Sequence, residues 1–589
     1  MKRNDTSTVQ TVKWGAIRRL LPYLFEHKAM LASAFVVMAL SSGLALAGPK
    51  LSGMAVDAIS GGRGNVDFRR VYICCALMAV FYIVSAALSY LLSVIMIKLS
   101  KKISYSMRKQ VFGHLMSLPV GYFDRNQTGD IISRLSYDID TVNASLSSDL
   151  IQICTSAVTI IGSFIMMCLI SGKLILIFAV TLPLSVWFIK YRAQKVKPLF
   201  RKRSAKLGEL SGYAEEMLSG QKPIRAYDRE EYIGGKFDAK NAEAVQCCFE
   251  AEYQGSVVGP SVNFINNLSM SFVSMFGALL YLTGHISLAG ISEFILYSRR
   301  FSGPVGEIAN IFSDIQSASS AAERIFRVLD ESPEPPDLPG AAEAGKVRGE
   351  VEFRDVSFGY TDDRIIIRNL SFRAAPGSTV AIVGPTGAGK TTLVNLLMRF
   401  YDPQKGTILL DGKDTRTLTR DSLRKCFTMV LQDTWLFSGT VRENIAFGNS
   451  SATDADIRRA AETAGIAGYI ESLPDGYDTF LSDDGSDLSK GQKQLLTISR
   501  AMLSDAPALI LDEATSNVDS RTEMQIREAM SRLMAGRTSF VIAHRLSTVV
   551  NADLILVIEN GNIVERGTHS SLLSAGGVYA RLYNSQFVQ

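Results

Sequence analysis

The sequence predicts a multi-domain membrane protein, in which an all-α domain of six transmembrane helices with long cytoplasmic helical extensions is followed by an α/β P-loop domain. The first half of the chain contains six apolar stretches that are long enough to cross a bilayer. The second half contains a short apolar strand (380–383) followed by a glycine-rich loop, and another strand (508–511) that ends in two acids. A chain of 589 residues is also long enough for two or more domains.

The composition fits a membrane protein. Hydrophobic residues make up 47% of the chain, and the net charge of +5 is small for its length, so we expect no nucleic acid partner. The seven cysteines show no C-x-x-C spacing, which favours reduced thiols over a disulfide framework. The first 28 residues are basic and lack a signal-peptide core, and we therefore expect a cytoplasmic N-terminus.

The six apolar stretches define the predicted transmembrane domain, residues 1–315. About 20 mostly apolar residues are needed to cross the hydrocarbon core. Each span must be helical, because backbone polar groups cannot be left unpaired in lipid. The predicted spans are 29–48, 71–97, 150–171, 174–192, 256–283 and 287–309.

The links between the spans predict the orientation. The links after the second and fourth spans are long and basic, so the positive-inside rule places them in the cytoplasm. The first outer loop, to which we assign Lys50, Arg63, Arg69 and Arg70, weakens that rule locally. Each long link is broken by proline and glycine, at 118–121 and at 220–223. Each break could hold a short crossing helix that contacts the following domain; the alternative is a solvated hairpin with no coupling role.

Several polar residues lie inside the predicted spans: Asn263, Asn266 and Asn267 in the fifth, and Glu293, Arg299 and Arg300 in the sixth. Intramembrane charge suggests a functional site. Alternatively, the asparagines only bond to neighbouring helices, and the arginines pair with Glu293 or extend towards the interface. The sequence leaves both readings open. A linker follows at 316–347, amphipathic at first and then proline-rich and acidic, and the second domain is predicted at 348–589.

The glycine-rich loop has the pattern of a phosphate-binding loop between a buried strand and an apolar helix. Its glycines allow backbone N–H groups to close around phosphates at a helix N-terminus. Lys390 would reach the β- and γ-phosphates, and Thr391 would hold Mg²⁺. The candidate nucleotide-binding residues here are Gly384, Pro385, Thr386, Gly387, Ala388, Gly389, Lys390, Thr391 and Thr392.

Two further strands end in candidate catalytic residues. Asp512 follows 508–511 and would bind Mg²⁺, while Glu513 would orient and polarise the attacking water. His544 follows the apolar strand 539–543, at the edge where a parallel sheet binds its ligands, and we expect it to contact the γ-phosphate.

Together with Leu488-Ser489-Lys490-Gly491-Gln492, these motifs resemble the ATP-binding cassette (ABC) superfamily over nearly the whole chain. The arrangement resembles a type IV, exporter-type half-transporter, with one membrane domain fused to one ATPase domain. The resemblance implies ATP and Mg²⁺ as cofactors and adds several candidate site residues: Tyr360 for adenine stacking, Gln432 for linking Mg²⁺ and water to the membrane domain, Ser489, Gly491 and Gln492 of the signature, and Asp519 of the D-loop.

The resemblance also implies a dimer, in which two ATP are held between the loop of one ATPase domain and the signature of the other. Residues 122–130 and 214–220 resemble the family's two coupling segments. Lys490 replaces a glycine of the usual signature, and 483–485 also departs from the usual pattern. This favours one half of a heterodimeric, multidrug-type exporter, with a homodimer that tolerates the variant as the alternative.

The function implied is an ATPase coupled to transmembrane transport, a translocase that moves an amphipathic small molecule or lipid out of the cytoplasm by alternating access. We expect a second half-transporter as partner and a bacterial inner membrane location. The alternatives are an importer of the same fold for a metal chelate, and an ATP-gated channel or sensor.

Overall fold

The computed structural model describes residues 14–60, 62, 65–361, 363–432, 434–482, 488–512, 519–542 and 549–586. The chain forms two compact units. The first comprises residues 1–117 and 127–331, and the second comprises 118–126 and 332–589. The second unit therefore includes a short segment from the membrane half of the sequence.

The first unit is all-α, as the sequence predicts. Within it, α2 (Lys28–Ile59) packs along α3 (Phe68–Ser117), and α8 (Gly172–Ser219) packs along α10 (Glu230–Ser256). The helices from Thr128 to Ile170 are continuous through two π-helical turns, 134–138 and 145–149. The helices are α1 (Trp14–Phe25), α2 (Lys28–Ile59), α3 (Phe68–Ser117), α5 (Thr128–Ser133), α6 (Ile139–Ala144), α7 (Leu150–Ile170), α8 (Gly172–Ser219), α9 (Gln221–Ala226), α10 (Glu230–Ser256), α11 (Val258–Leu282) and α12 (Leu288–Leu329).

Five of the predicted spans lie in helical segments that are long and apolar enough to cross a membrane. The predicted cytoplasmic extensions are helical as well. Both α3 and α8 continue far beyond their apolar parts. The sixth predicted span forms the start of α12, which is not among these five segments. Three charges, Glu293, Arg299 and Arg300, lower the hydropathy of this part of α12. The sixth span therefore remains a prediction.

Both proline–glycine breaks contain short helices, which confirms one part of the coupling hypothesis. Pro119 precedes α4 (Val120–Arg125), and Gly220 precedes α9. A proline is well tolerated before a helix, because the first helical N–H groups have no partner within the helix. The long helix α3 ends at Ser117, and α4 begins three residues later at Val120.

Our assignment of Lys50, Arg69 and Arg70 to the first outer loop is wrong, because Arg69 and Arg70 lie at the start of α3, which begins at Phe68. Lys50 lies inside α2, which extends to Ile59, and its ammonium group forms an ion pair with Glu293. This pair also settles one alternative for the polar residues of the sixth span. Among the described residues, the ion-pair partner of Glu293 is Lys50, and neither Arg299 nor Arg300 takes that place.

The second unit is α/β, and its described residues form three sheets. The main sheet has six strands in the order β12-β11-β3-β10-β9-β6, and every neighbouring pair except β11–β12 is parallel. An antiparallel sheet has the order β2-β1-β4-β5, and β7 pairs with β8. The strands are β1 (Val351–Phe358), β2 (Ile367–Ala374), β3 (Thr379–Val383), β4 (Lys405–Leu410), β5 (Lys413–Asp414), β6 (Phe427–Val430), β7 (Gly439–Thr440), β8 (Phe480–Leu481), β9 (Ala508–Asp512), β10 (Thr538–Ile542), β11 (Leu554–Glu559) and β12 (Asn562–Gly567).

Helices cover both faces of the main sheet and divide its packing into separate hydrophobic cores. The strands β3, β9 and β10 are apolar and almost completely buried, as expected for parallel strands covered on two sides. One core joins α13 to the antiparallel sheet, and another joins α15, α16, α18 and α19. The helices of this unit, besides α4, are α13 (Lys390–Leu397), α14 (Arg420–Lys425), α15 (Val441–Ala446), α16 (Asp454–Thr463), α17 (Ala467–Glu471), α18 (Lys490–Met502), α19 (Ser520–Met534), α20 (His569–Ala575) and α21 (Val578–Gln586).

The proline-rich part of the predicted linker is bound to the second unit by the buried Arg420 and the partly buried Arg424. Arg420 donates to the backbone oxygen of Pro335 at 2.7 Å and forms ion pairs with Asp337 and Asp402. Arg424 forms an ion pair with Glu334. The Arg420 side chain is only 9% exposed, so these ion pairs offset the cost of burying its charge. Glu334 and Asp337 of the linker are therefore part of the second unit's structure.

We expect Arg420→Met to destabilise the second unit by about 1–3 kcal/mol, because Asp337 and Asp402 lose a shared, largely buried donor. Thermal unfolding of the full-length protein in nanodiscs measures this. Lys425→Met is the matched control, since Lys425 and its partner Asp421 are both at least 75% exposed, and it should leave the unfolding midpoint unchanged. Equal midpoints for the two variants would contradict the linker assignment.

Candidate nucleotide-binding site

The main sheet brings the phosphate-binding loop and one candidate metal ligand to the same edge. Ile542 of β10 lies opposite both Ile382 of β3 and Asp512 of β9. The loop after β3 and Asp512 therefore lie at the same height along the strands. β3 and β9 are separated by β10, so the two groups are about 10 Å apart across the sheet. Gln432 follows β6, whose Val430 lies opposite Leu511. This is the carboxyl edge, where parallel sheets bind their ligands.

The loop itself depends on glycine. A Cβ at position 384 would lie 2.1 Å from the backbone oxygen of Ile558, so the loop packs directly on β11. Gly387 and Gly389 have φ angles of 82° and 105°, a region that glycine adopts without steric cost. Gly389 is the N-cap of α13, so the loop ends at the N-terminal amides of a helix. These amides and the helix dipole favour a phosphate at this position.

Lys390 lies over the loop that it follows. Its ammonium group donates to the backbone oxygens of Gly384 at 2.7 Å and Pro385 at 3.1 Å. Burial lowers the pKa of Lys390, and the carboxylate of Asp512 opposes that effect. The lysine thus places a partly desolvated charge between the loop and Asp512, where phosphate oxygens would replace the carbonyl groups as acceptors.

The remaining loop residues differ in accessibility. Thr391 is exposed and available to a metal ion, and the buried Ala388 contributes through its backbone. Thr392 is only 5% exposed, and its hydroxyl group accepts a hydrogen bond from the phenol of Tyr360 at 3.3 Å. We therefore assign Thr392 to the support of Tyr360, although our prediction of it as a nucleotide contact stays untested.

Tyr360 lies in a cluster of aromatic rings. Its ring packs edge-on against Phe358 and Tyr401, with centroid distances of 5.2 Å and 5.0 Å. Asn395 donates to its hydroxyl oxygen at 2.9 Å. The side chain is still 42% exposed, so part of the ring is free to stack on a base. Stacking of a base on an aromatic ring contributes about 1–3 kcal/mol.

The signature residues form the start of α18. Ser489 is the N-cap, and its hydroxyl accepts from the backbone N–H of Gln492 while its own N–H donates to the Gln492 side chain. Lys490 is therefore the first residue of the helix and is exposed, whereas Gly491 is buried. The signature helix packs in a hydrophobic core separate from that of the phosphate-binding loop.

Asp519 also caps a helix. Its carboxylate accepts from the backbone N–H groups of Thr522 at 3.0 Å and Arg521 at 3.1 Å, at the start of α19. The hydrogen bond from Thr522 is the main reason that the pKa of Asp519 is lowered. The two predicted catalytic residues Glu513 and His544 lie outside the described residues, as do 516–518 and 483–485. Gln432 is described and is exposed.

Sequence reasoning missed a contact between this site and α4. The hydroxyl of Tyr401 donates to the carboxylate of Asp124 at 2.6 Å. Burial and this carboxylate raise the pKa of Tyr401, so the phenol remains a donor. A Cβ at Gly121 would lie 2.9 Å from the Tyr401 hydroxyl, which shows how closely the ring approaches α4. The aromatic pair Phe400-Tyr401 after α13 was the available signal, but 277 residues separate Tyr401 from Asp124.

Comparison with known families assigns both parts of the chain. Residues 31–305 match the model of the ABC transporter transmembrane region, and residues 367–516 match the ABC transporter model. The chain is 42% identical to the Bacillus subtilis ABC transporter ATP-binding protein YfiC over 573 residues, covering 97% of this chain and 94% of YfiC.

Two relatives carry names that specify a cargo. A fatty acid ABC transporter ATP-binding/permease protein of Mycobacterium tuberculosis is 44% identical over 536 residues, which is 90% of this chain and 83% of that protein. An ATP-dependent lipid A-core flippase of Syntrophus aciditrophicus is 32% identical over 570 residues, covering 97% and 94% of the two chains. A solved bacterial Atm1-family ABC exporter with ATP bound has a TM-score of 0.78 and 28% identity, covering 95% of this chain and 99% of its own.

We expect Gly384→Ala to weaken ATP binding at least about tenfold, equivalent to about 1.4 kcal/mol, because the added Cβ would force the loop away from β11. A fluorescent ATP analogue titrated against the full-length protein measures this. Gly377→Ala is the control, since its φ of 73° is also left-handed but its Cβ would meet no atom within 4 Å. Similar affinities for the two variants would contradict the proposed loop geometry.

Proposed function

Because this chain belongs to the ABC transporter family and carries the transmembrane region and the ATPase in one polypeptide, we propose that it is one half of a dimeric exporter. In this proposal, the dimer moves an amphipathic small molecule or lipid out of the cytoplasm by alternating access. The observation that carries the proposal is the shared edge of the main sheet, where the Lys390 loop and Asp512 lie level. An ATPase site in the same chain as long apolar helices supports a role in transport across a membrane.

The site residues fit ATP with Mg²⁺. Backbone amides from Gly387 to Lys390 and the Lys390 ammonium group would hold the phosphates, and Tyr360 would stack on the adenine. Thr391, Gln432 and Asp512 would hold Mg²⁺ with oxygen ligands, the type that this ion prefers. Bound Mg²⁺ would neutralise charge on the β- and γ-phosphates. Glu513 would orient the attacking water, and His544 would contact the γ-phosphate.

Coupling between hydrolysis and transport is proposed to run through α4. This helix overlaps the predicted coupling segment 122–130, and Asp124 bonds to Tyr401, which packs on the proposed adenine platform Tyr360. A base stacked on Tyr360 would thus fix the ring cluster that supports α4. Gln432 provides a second proposed route from Mg²⁺ to the membrane domain.

A half-transporter of this family acts as a dimer, and we propose a heterodimer. Lys490, at the first position of α18, places a cation where a glycine usually precedes Gly491. Lys490 would face the ATP held by the partner half, and its neighbours Ser489 and Gly491 would contact the phosphates of that ATP. Gln492 would hold Ser489 in place, and Asp519 would fix the start of α19. An altered signature donated to a weaker partner site fits a heterodimer better than a homodimer. The proposed location is a bacterial inner membrane.

We expect this chain alone in nanodiscs to show little Mg-ATPase activity above a Glu513→Gln blank, and co-expression with its partner half to restore it. Activity of the single chain would establish a working homodimer. If Lys490→Gly then raised hydrolysis by the single chain, the heterodimer proposal would be wrong.

ATP-dependent uptake of amphiphiles into inside-out vesicles tests the export direction, because an importer would instead load right-side-out vesicles.

We expect Tyr401→Phe to reduce the ratio of cargo-stimulated to basal ATPase activity, because Asp124 loses the hydroxyl that connects α4 to the ring cluster. A hydrogen bond to a charged group contributes about 1.5–3 kcal/mol, so a reduction of about threefold or more should be measurable. Tyr360→Phe is the matched control, since it removes a hydroxyl group from the same cluster without a bond to α4. An equal loss in both variants would argue against a specific role for Tyr401.

A further inference from the structure

Charged and phenolic side chains line the contact between α2 and the part of α12 that is predicted as the sixth span. The Lys50 ammonium group donates to the Glu293 carboxylate at 3.2 Å. One turn further along α12, the Tyr297 hydroxyl donates to the backbone oxygen of Leu46 at 2.8 Å. Arg300 follows at the next position on the same face of α12, about 10 Å along the axis from Glu293. We refer to Lys50, Glu293, Tyr297 and Arg300 as the charge line.

The members of the charge line differ in exposure. The Glu293 side chain is 5% exposed, and the Lys50 side chain is 53% exposed. Glu293 packs directly on α2, because a Cβ at Gly53 would lie 2.1 Å from the Cγ of Glu293. Tyr297 is completely buried. The acid and the phenol are therefore fixed between the helices, and the cation is the accessible member of the pair.

The two cations have unused hydrogen-bonding capacity. An ammonium group has three donors and a guanidinium group has five. Within the described part of the chain, Lys50 has one side-chain acceptor, Glu293, and Arg300 has none. Cations with free donors are costly inside a membrane and mark functional sites there. Asp57 lies two turns beyond Lys50 on the side away from Arg300, so an anion would be favoured on the Arg300 side, over Tyr297.

We propose that Lys50 and Arg300 bind the anionic headgroup, a carboxylate or a phosphate, of the amphiphile that the transporter carries. Glu293 positions Lys50 through the ion pair, and Tyr297 positions α12 against α2. The proposal rests on the proposed transport function and adds a charge to its cargo. The name of the fatty acid relative agrees with it, because a fatty acid is a carboxylate on an acyl chain.

The test uses the full transporter in nanodiscs, with its partner half where activity requires it. Palmitate, hexadecyl phosphate and the neutral methyl palmitate are titrated, and ATPase stimulation is measured relative to each variant's own basal rate. Displacement of a fluorescent fatty acid measures binding directly. The variants are K50Q/E293Q, which leaves no buried carboxylate unpaired, and R300Q. The matched control is R299Q, which removes an exposed cation on another face of the same helix.

We expect the half-saturating concentration of the charged ligand to rise at least about tenfold in K50Q/E293Q and in R300Q, equivalent to about 1.4 kcal/mol. R299Q should respond like the wild type, and methyl palmitate should not distinguish the variants. A response to palmitate identifies a carboxylate site, and a response to hexadecyl phosphate alone identifies a phosphate site.

The charge swap K50E/E293K separates headgroup binding from a purely structural ion pair. The swap keeps the pair but places an acid at the accessible position, so we expect it to lose the response to anions. Restoration of the wild-type response by the swap, or an unchanged response in both neutral variants, would overturn the proposal. A wild type that moves methyl palmitate and palmitate equally would overturn this inference alone. A wild type that moves no amphiphile would overturn the proposed function.

Discussion

The register of the parallel strands in the main sheet is the constraint on which the nucleotide site depends. The loop after β3, Asp512 of β9 and Gln432 after β6 come from segments that are far apart in the sequence. They meet because each strand is buried on both faces and is paired residue by residue with its neighbours. A shift of one residue in β9 would turn Asp512 towards the other face of the sheet and remove it from the site. The close packing of Gly384 on β11 fixes the loop against the same sheet.

Within the second unit, aromatic and charged side chains connect Tyr360 to α4 and the neighbouring loop to the linker. Tyr360, Tyr401 and Phe358 form one ring cluster, and Tyr401 bonds to Asp124 of α4. The residue after Tyr401, Asp402, forms an ion pair with Arg420, which also binds the linker. Tyr401 thus contacts α4 directly, and Asp402 is connected to the linker through Arg420. Two neighbouring residues therefore connect to both segments of the second unit that adjoin the first unit in the sequence.

In the first unit the main constraint is different, because charged side chains lie within long apolar helices. Lys50 and Glu293 do so by pairing, and Gly53 allows the acid to pack closely on α2. This ion pair contributes little to stability, since the desolvation of the buried Glu293 carboxylate offsets much of the attraction. The cost of retaining these charges in a membrane helix is more readily explained by a role in binding. Arg300 adds a second cation on the same face of α12, about two turns from Glu293.

The sequence by itself determined the order of the two parts, their fold classes and most of the spans, because apolar length and the phosphate-loop pattern are local signals. It also located the breaks at 118–121 and 220–223 from their prolines and glycines, where the structure has α4 and α9. Only the tertiary structure decided that Lys50 lies within α2 and pairs with Glu293, that Thr392 is buried beneath Tyr360, and that Tyr401 bonds to Asp124. These contacts join residues up to 277 positions apart. Their partners are chosen by the packing of helices and strands, and no local pattern in the sequence records that choice.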